Sequence, residues 1–461
     1  MRLCLLLTAA LLAGCTSVSA ERPAKMADKA APAKVNPDPY PSTYKAYPGV
    51  ATAIRNVTVY DGEGGRIEKG VVFFSGGKIV SIGGPETPIP SDIAVFDGTG
   101  KWVTPGVIDV HSHLGDYPSP SVDAHSDGNE ATSPVRAEVW AEHSVWPQDP
   151  GFSRALVNGG ITTLQILPGS ANLFGGRSVV LKNVYARTVQ GMKFPGAPYG
   201  LKMACGENPK RVYGTRNQMP STRMGNMAVN RQTWIKAAEY KRKLEKGETV
   251  TRDLQLETLA GVLSGDILVH NHCYRADEMA QVIDMAKEFG YKVSTFHHAV
   301  EAYKIADLLK ENSICAAMWA DWWGFKMESY DAINENVPLV AQAGACAIVH
   351  SDDANGIQRL YQEAAKALAD GRRMGIAIPD EVAWEWLSYN PAKALGIADK
   401  TGSLKPGKMA DLVLWNGNPF SVYTRPEKVW IDGALMYDAN DPKRRPVSDF
   451  ELGQPGEGDT K

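Results

Sequence analysis

The chain has 461 residues, is 44% hydrophobic and 22% charged, and carries a formal net charge of −3. That length holds one large α/β barrel with a smaller domain, or three average domains, and the composition is that of a globular protein. The slight negative charge, with no Lys/Arg-rich run, argues against a nucleic-acid-binding surface.

The N-terminus carries the first signal. Arg2 is followed by an apolar run, Leu3 to Leu12, too short to span a bilayer as a helix. The run ends in Leu12-Ala13-Gly14-Cys15. Small residues at the end of an apolar segment fit a signal peptidase, and the Cys that follows resembles the lipobox of bacterial lipoproteins. The resemblance implies cleavage before Cys15, acylation of Cys15, and a periplasmic protein that meets a membrane only through its lipid anchor. The alternative is cleavage after Ala20 and a soluble periplasmic or secreted protein. Residues 1–20 are read as the signal and 21–45, rich in Pro, Ala and Lys, as a flexible tether.

Short strand-like pieces come next: AIRNVTVYDGEG, GVVFFSGGKIVSIGG and IAVFDGTGKWVTPG, divided by Gly-rich turns. The far end has the same texture in GSLKPGKMADLVLWNGNPF and KVWIDGALMYD. Residues 46–104 and 396–445 are therefore expected to form one composite β-sandwich, with 446–461 a tail.

Between them, 105–395 alternates apolar runs of strand length (GVIDVHSHL, GITTLQILPG, DILVHNH, KVSTFHH, ICAAMWADW, CAIVHSD) with helical stretches such as ADEMAQVIDMAKEFG and QRLYQEAAKALADGRR. Repeated strand–helix units predict an α/β fold with a parallel sheet, and this many suit a (β/α)8 TIM barrel. The polar stretch from about 206 to 231 reads as a long rim loop. Cys205, Cys273, Cys315 and Cys346 show no tight CxxC spacing and are expected to be buried free thiols.

Six of the nine histidines fall at the C-terminal ends of strand-like runs, where a barrel builds its active site. His111 and His113 are two apart, so both imidazoles point to one side of a strand. His270 and His272 end ILVHNH, His297 and His298 end KVSTFHH, and Asp352 and Asp353 end AIVHSDD. Imidazole and carboxylate suit a divalent ion such as Zn²⁺.

These segments resemble the amidohydrolase superfamily, especially its imidazolonepropionase-like and prolidase-like branch: TPGVIDVHSH, a later His at each of two strand ends, HSD near the barrel's end and the closing GSLKPGKMADLVLW. The resemblance covers about 50 to 440. It implies a (β/α)8 barrel, one or two divalent ions and hydrolysis at carbon–nitrogen bonds. It implies His111 and His113 as first-strand ligands, His270 as the fifth-strand ligand with His272 the alternative, and Asp352 as the eighth-strand carboxylate. His298 matches the sixth-strand ligand, since His-x-x-Glu-Ala-Tyr at 298–303 resembles the family's segment there; His297 would then point the other way. A bridging fourth-strand group would be a carboxylated Lys202, with Glu207 the alternative.

The chemistry expected of such a site is attack by metal-activated water, with Asp352 as general base and then acid, assisted by His270 or His298. Trp319, Trp322 and Trp323 are candidates for an apolar wall, and Tyr274, Arg275 and Arg211 for rim contacts to a substrate. The expected substrate is a small molecule: a dipeptide, an N-acyl amino acid or a cyclic amide. Deamination of a ring amine is the runner-up, and a non-catalytic binding lipoprotein is the reading from another class. A homo-oligomer is compatible with all of these.

Overall fold

The computed structural model describes residues 36–444. The expected signal segment, Cys15 and most of the expected tether, and the tail from 445 on, lie outside the described residues. The first strands are β1 (Thr52–Tyr60), β2 (Arg66–Ser75), β3 (Lys78–Gly83), β4 (Ala94–Asp97) and β5 (Trp102–Pro105). The last are β14 (Leu412–Trp415), β15 (Pro426–Ile431) and β16 (Ala434–Asp438). They join in one eight-stranded sheet of order β16-β15-β14-β5-β1-β2-β3, with β4 beside β1. The seam is β5, which pairs parallel with β1 and antiparallel with β14. Alternating apolar residues, among them Ile54, Val72, Phe74, Val103, Leu412 and Trp430, bury a core of their own.

The middle of the chain supplies β6 (Val107–Ser112), β7 (Ile161–Ile166), β8 (Phe174–Lys182), β9 (Tyr199–Ala204), β10 (Ile267–Cys273), β11 (Val293–His298), β12 (Cys315–Met318) and β13 (Cys346–Val349). They hydrogen-bond in chain order. The sheet is drawn round on itself where Asp352 N donates to His111 O at 3.0 Å. Helices α1 (Pro150–Gly159), α2 (Glu207–Gly214), α3 (Arg223–Glu245), α4 (Leu254–Ser264), α5 (Ala276–Phe289), α6 (Ala306–Glu311), α7 (Asn336–Gln342) and α8 (Leu360–Arg373) come from this region. In α5, Ala276, Met279, Val282, Ile283 and Ala286 form the buried stripe, and Gly290 ends the helix in the left-handed region at φ 75°. One strand departs from a uniformly parallel barrel. Residues 167–173 are too short for a crossover, so β8 returns antiparallel to β7 and is antiparallel to β9 as well.

Three expectations are corrected. The supposed rim loop at 206–231 holds α2 and the start of α3, which Thr222 caps by accepting a hydrogen bond from Gly225 N. The apolar stripe of α3 is sparse, with Asn226, Thr233, Trp234, Ala237 and Tyr240 buried, so its period was masked by polar residues. The end of the tether is docked rather than free. Arg177 donates to Pro37 O at 2.9 Å, Lys193 Nζ to Asp38 at 2.9 Å, and Tyr44 OH to Asp432 at 2.5 Å. The four cysteines form two disulfides, Cys205–Cys273 and Cys315–Cys346. Pairing here follows strand register: Cys315 and Cys346 are direct partners across β12 and β13, a relation that sequence spacing does not reveal.

Candidate metal centre

The mouth of the barrel, at the C-terminal ends of its parallel strands, gathers the imidazoles. His111 Nε2 and His113 Nε2 lie 3.3 and 3.2 Å from the same oxygen of Asp352. His111, His298 and His350 form a second group of imidazoles within reach of one ion. His113 Nδ1 lies 2.8 Å from the Leu167 carbonyl and must donate to it. Its Nε2 then faces the Asp352 carboxylate oxygen. Either a proton on Nε2 or a metal cation between the two atoms satisfies that contact. The donor set and its geometry fit a divalent ion.

The backbone aims these groups. His298 and Asp352 both adopt left-handed conformations, at φ 70° and 58°, although neither is glycine. Such residues are uncommon and cluster where structure over-determines them. At His298 this turn breaks the strand's alternation. That is why two adjacent histidines both serve the interior, and why the expectation that His297 points away is wrong: His297 is buried against His111 and His270. Asp109 holds the seam between first and last strands. One of its oxygens accepts from His111 N at 3.1 Å and Ser351 N at 3.3 Å, and the other from the Ser351 hydroxyl.

Electrostatics follow from burial. Desolvation pushes His111, His272, His297 and His298 well below the ordinary imidazole range, His270 down to about 3 and His350 to about 4. These rings are neutral and present lone pairs at neutral pH. The low-dielectric setting would raise Asp352, but its hydrogen bond to His113 and the surrounding imidazoles outweigh that and hold it below the usual carboxylate range. Lys202 is fully buried, and desolvation lowers its amine to about 7. Its Nζ lies 3.4 Å from His111 Nε2.

The other expected site residues divide. Tyr274 is buried and stacks on His298, with ring centroids 5.3 Å apart; Trp319 stacks on His298 from 4.4 Å and carries Trp322 at 5.4 Å. Trp323 is 55% exposed and lies outside this stack. Arg275 is held by Asp277 at 2.9 and 2.8 Å, and Arg211 is exposed on α2. Glu207 lies 3.8 Å from Lys326. His272 contacts His298 at 4.6 Å between centroids, whereas His270 sits deeper, against His297. Asp353 accepts from Asn355 N at 2.9 Å and Gly356 N at 2.5 Å, as a structural cap outside the cluster.

Sequence reasoning missed His350 and Lys326. His350 stands two residues before Asp352, the same spacing that singled out His111 and His113. Lys326 lies in the segment after β12, bonded to Asn208 Oδ1 at 3.0 Å and 4.0 Å above the Tyr274 ring. No spacing in the sequence brings it there.

The amidohydrolase family model matches residues 102–441, which takes in the whole barrel and the closing strands. This chain belongs to the amidohydrolase family. It is similar to an amidohydrolase from Thermotoga maritima MSB8, with 37% identity and a TM-score of 0.77 over 84% of this chain and all of that one. It is 29% identical over 433 residues to amidohydrolase tasK of Hapsidospora irregularis, covering 85% of this chain but only 43% of that protein. An imidazolonepropionase of Rhizobium meliloti (strain 1021) is 25% identical over 76% of this chain and 86% of its own length. The chain thus spans less than half the length of amidohydrolase tasK. Within the amidohydrolase, the small sheet is the part formed from both chain ends, and the imidazole cluster lies in the barrel.

Proposed function

We propose that this amidohydrolase is a metal-dependent enzyme that hydrolyses an amide-like C–N bond in a dipeptide, an N-acyl amino acid or a cyclic amide. The observation that carries the reading is the convergence of His111, His113 and Asp352 on one point, with two imidazole nitrogens facing one carboxylate oxygen. His111, His113, His298 and Asp352 would hold the ion, with His272 and His350 beside them. A divalent ion, Zn²⁺ by donor chemistry, would polarise the scissile carbonyl and lower the pKa of water to about 7.

The protein groups have separate tasks. Asp352 carries an ionised carboxylate oxygen at the mouth; it takes the proton of the attacking water and returns it to the leaving nitrogen. Lys202 Nζ, part neutral at pH 7, would add to CO₂ with loss of one proton, and the resulting carbamate would supply carboxylate-type oxygens to the metal. Trp319, Trp322 and Tyr274 form the apolar wall. Lys326, which burial lowers to about 8, meets a substrate carboxylate in place of Arg275 and Arg211.

The test is metal analysis of the purified chain, followed by a screen of dipeptides, N-acyl amino acids and lactams. Stoichiometric metal and cleavage of one class are expected. Ammonia release from ring amines without cleavage would move the assignment to deamination, and bound metal with no turnover would support a binding protein.

We also infer that the chain is exported and lipid-anchored at Cys15. The Leu12-Ala13-Gly14-Cys15 segment supports this, and so do two disulfides, which persist in oxidising compartments. No helix among the described residues is long and apolar enough to cross a membrane.

A further inference from the structure

Three buried imidazoles run in line beneath the site. His111 Nδ1 lies 2.9 Å from His297 Nδ1, and His297 Nε2 lies 3.0 Å from His270 Nδ1. His270 Nε2, at the far end, is buried and makes no hydrogen bond among the described residues. The barrel floor makes room for this chain. A Cβ on Gly200 would lie 2.6 Å from His270 Cδ2, so only glycine lets the ring sit there. None of the three rings is exposed by more than 1%.

Each neutral imidazole has one N–H and one lone pair. In a row of neutral rings the protons must therefore all point the same way. In one direction His111 carries its proton on Nδ1, His297 on Nε2 and His270 on Nε2. In the other, His270 and His297 carry theirs on Nδ1, and His111 carries its proton on Nε2. Nε2 of His111 is the atom that faces Asp352 and Lys202. Only the first direction leaves a lone pair there for an ion.

We propose that His297 and His270 are positioning residues that hold His111 in the Nδ1–H tautomer, so that its Nε2 lone pair is presented to the metal, and that His270 is not itself a ligand. This rests on the reading that His111 binds the ion through Nε2. His297 takes the place of the carboxylate or carbonyl that usually accepts a ligating histidine's second N–H. His270 in turn accepts from His297 Nε2–H and fixes its tautomer. The chain explains why two strands each carry a histidine deeper than the ligand positions.

The test begins with the unaltered protein. Nitrogen-15 NMR of the metal-free full chain is expected to show His111 protonated at Nδ1, with His297 and His270 both protonated at Nε2. A proton on His111 Nε2 would overturn the proposal, whatever the fate of the proposed activity. Zinc titration of variants is the second arm. His297→Leu is expected to weaken zinc binding by roughly 10–100-fold, the usual effect of removing an outer partner of a metal-bound histidine. His297→Asn, whose carbonyl stands near the lost Nδ1, is expected to recover most of that affinity. His270→Asn is expected to keep the full metal stoichiometry. Loss of a metal equivalent in His270→Asn would make His270 a ligand and sink the proposal, as would unchanged affinity in His297→Leu. Zinc titration of the unaltered chain reads the metal assignment separately.

Discussion

Cys205, three residues after Lys202, is disulfide-bonded to Cys273, the residue after His272, with Cα atoms 5.2 Å apart. The bond ties together the exits of β9 and β10 where two candidate metal groups stand. It closes a separation of 68 residues. Such a link typically stabilises a fold by roughly 2–4 kcal/mol. Cys205→Ser with Cys273→Ser is expected to lower stability by about that amount, read by denaturant unfolding, and to weaken metal binding. Cys315→Ser with Cys346→Ser, at the opposite ends of β12 and β13, is expected to lower stability with metal content unchanged. Equal loss of metal from both pairs would show that the site merely follows global stability.

Among the described residues Lys202 has no carboxylate hydrogen-bond partner, and it is buried, with its amine lowered to about 7. Lys202→Ala is expected to lose one metal equivalent and most activity, with partial recovery in small carboxylic acids. Unchanged metal content would favour a mononuclear site. The shift also fixes a sign. Between about pH 7 and the ordinary lysine value, the unfolded chain binds a proton that the folded chain does not. In the metal-free protein this group therefore destabilises folding fully below pH 7, and the penalty is relieved as pH rises. Lys202→Met is expected to remove that part of the stability–pH slope.

Asp352→Asn keeps the shape and one carbonyl oxygen but removes the basic site. Metal is expected to fall only partly, since His111, His113 and His298 remain, while kcat falls by about 10²–10⁴-fold. His111→Ala is expected to reduce metal and activity together. An Asp352→Asn enzyme with bound metal and kcat within a few-fold of the original would mean that another group moves the proton.

Tyr44 links the docked N-terminal segment to a buried charge cluster. Its hydroxyl donates to Asp432 at 2.5 Å, and Lys182 Nζ donates to the same oxygen at 2.6 Å. Tyr44→Phe is expected to reduce stability by roughly 1.5–3 kcal/mol, the range for a hydrogen bond to a charged group. Calorimetry or urea unfolding measures it. A chain beginning at residue 48 is expected to lose more, because Lys193 and Arg177 give up Asp38 and Pro37 as well. No loss on truncation would return this segment to the status of a free tether.

Acylation at Cys15 predicts that Cys15→Ser moves the protein from the membrane fraction to the soluble one with activity intact. A soluble unaltered protein would rule out the lipid anchor.

Period and position made much of this protein legible in its sequence. Strand-length apolar runs and amphipathic stretches determined a barrel, because burial imposes those periods whatever the partner. His111 and His113, two apart on one strand, declared a shared side by local geometry alone. The matching texture of residues 46–104 and 396–445 likewise anticipated a sheet built from both ends. What only the tertiary structure decided depends on contacts between distant strands or on single backbone angles. Cys205 finds Cys273 through register, and Lys326 reaches Tyr274 from another loop. The left-handed turn at His298 sends adjacent histidines to different tasks. Strand order and register bring His111, His297 and His270 from three strands into one line. Local propensity reports which face a residue occupies; the rings that meet across the barrel are set by closure of the whole sheet.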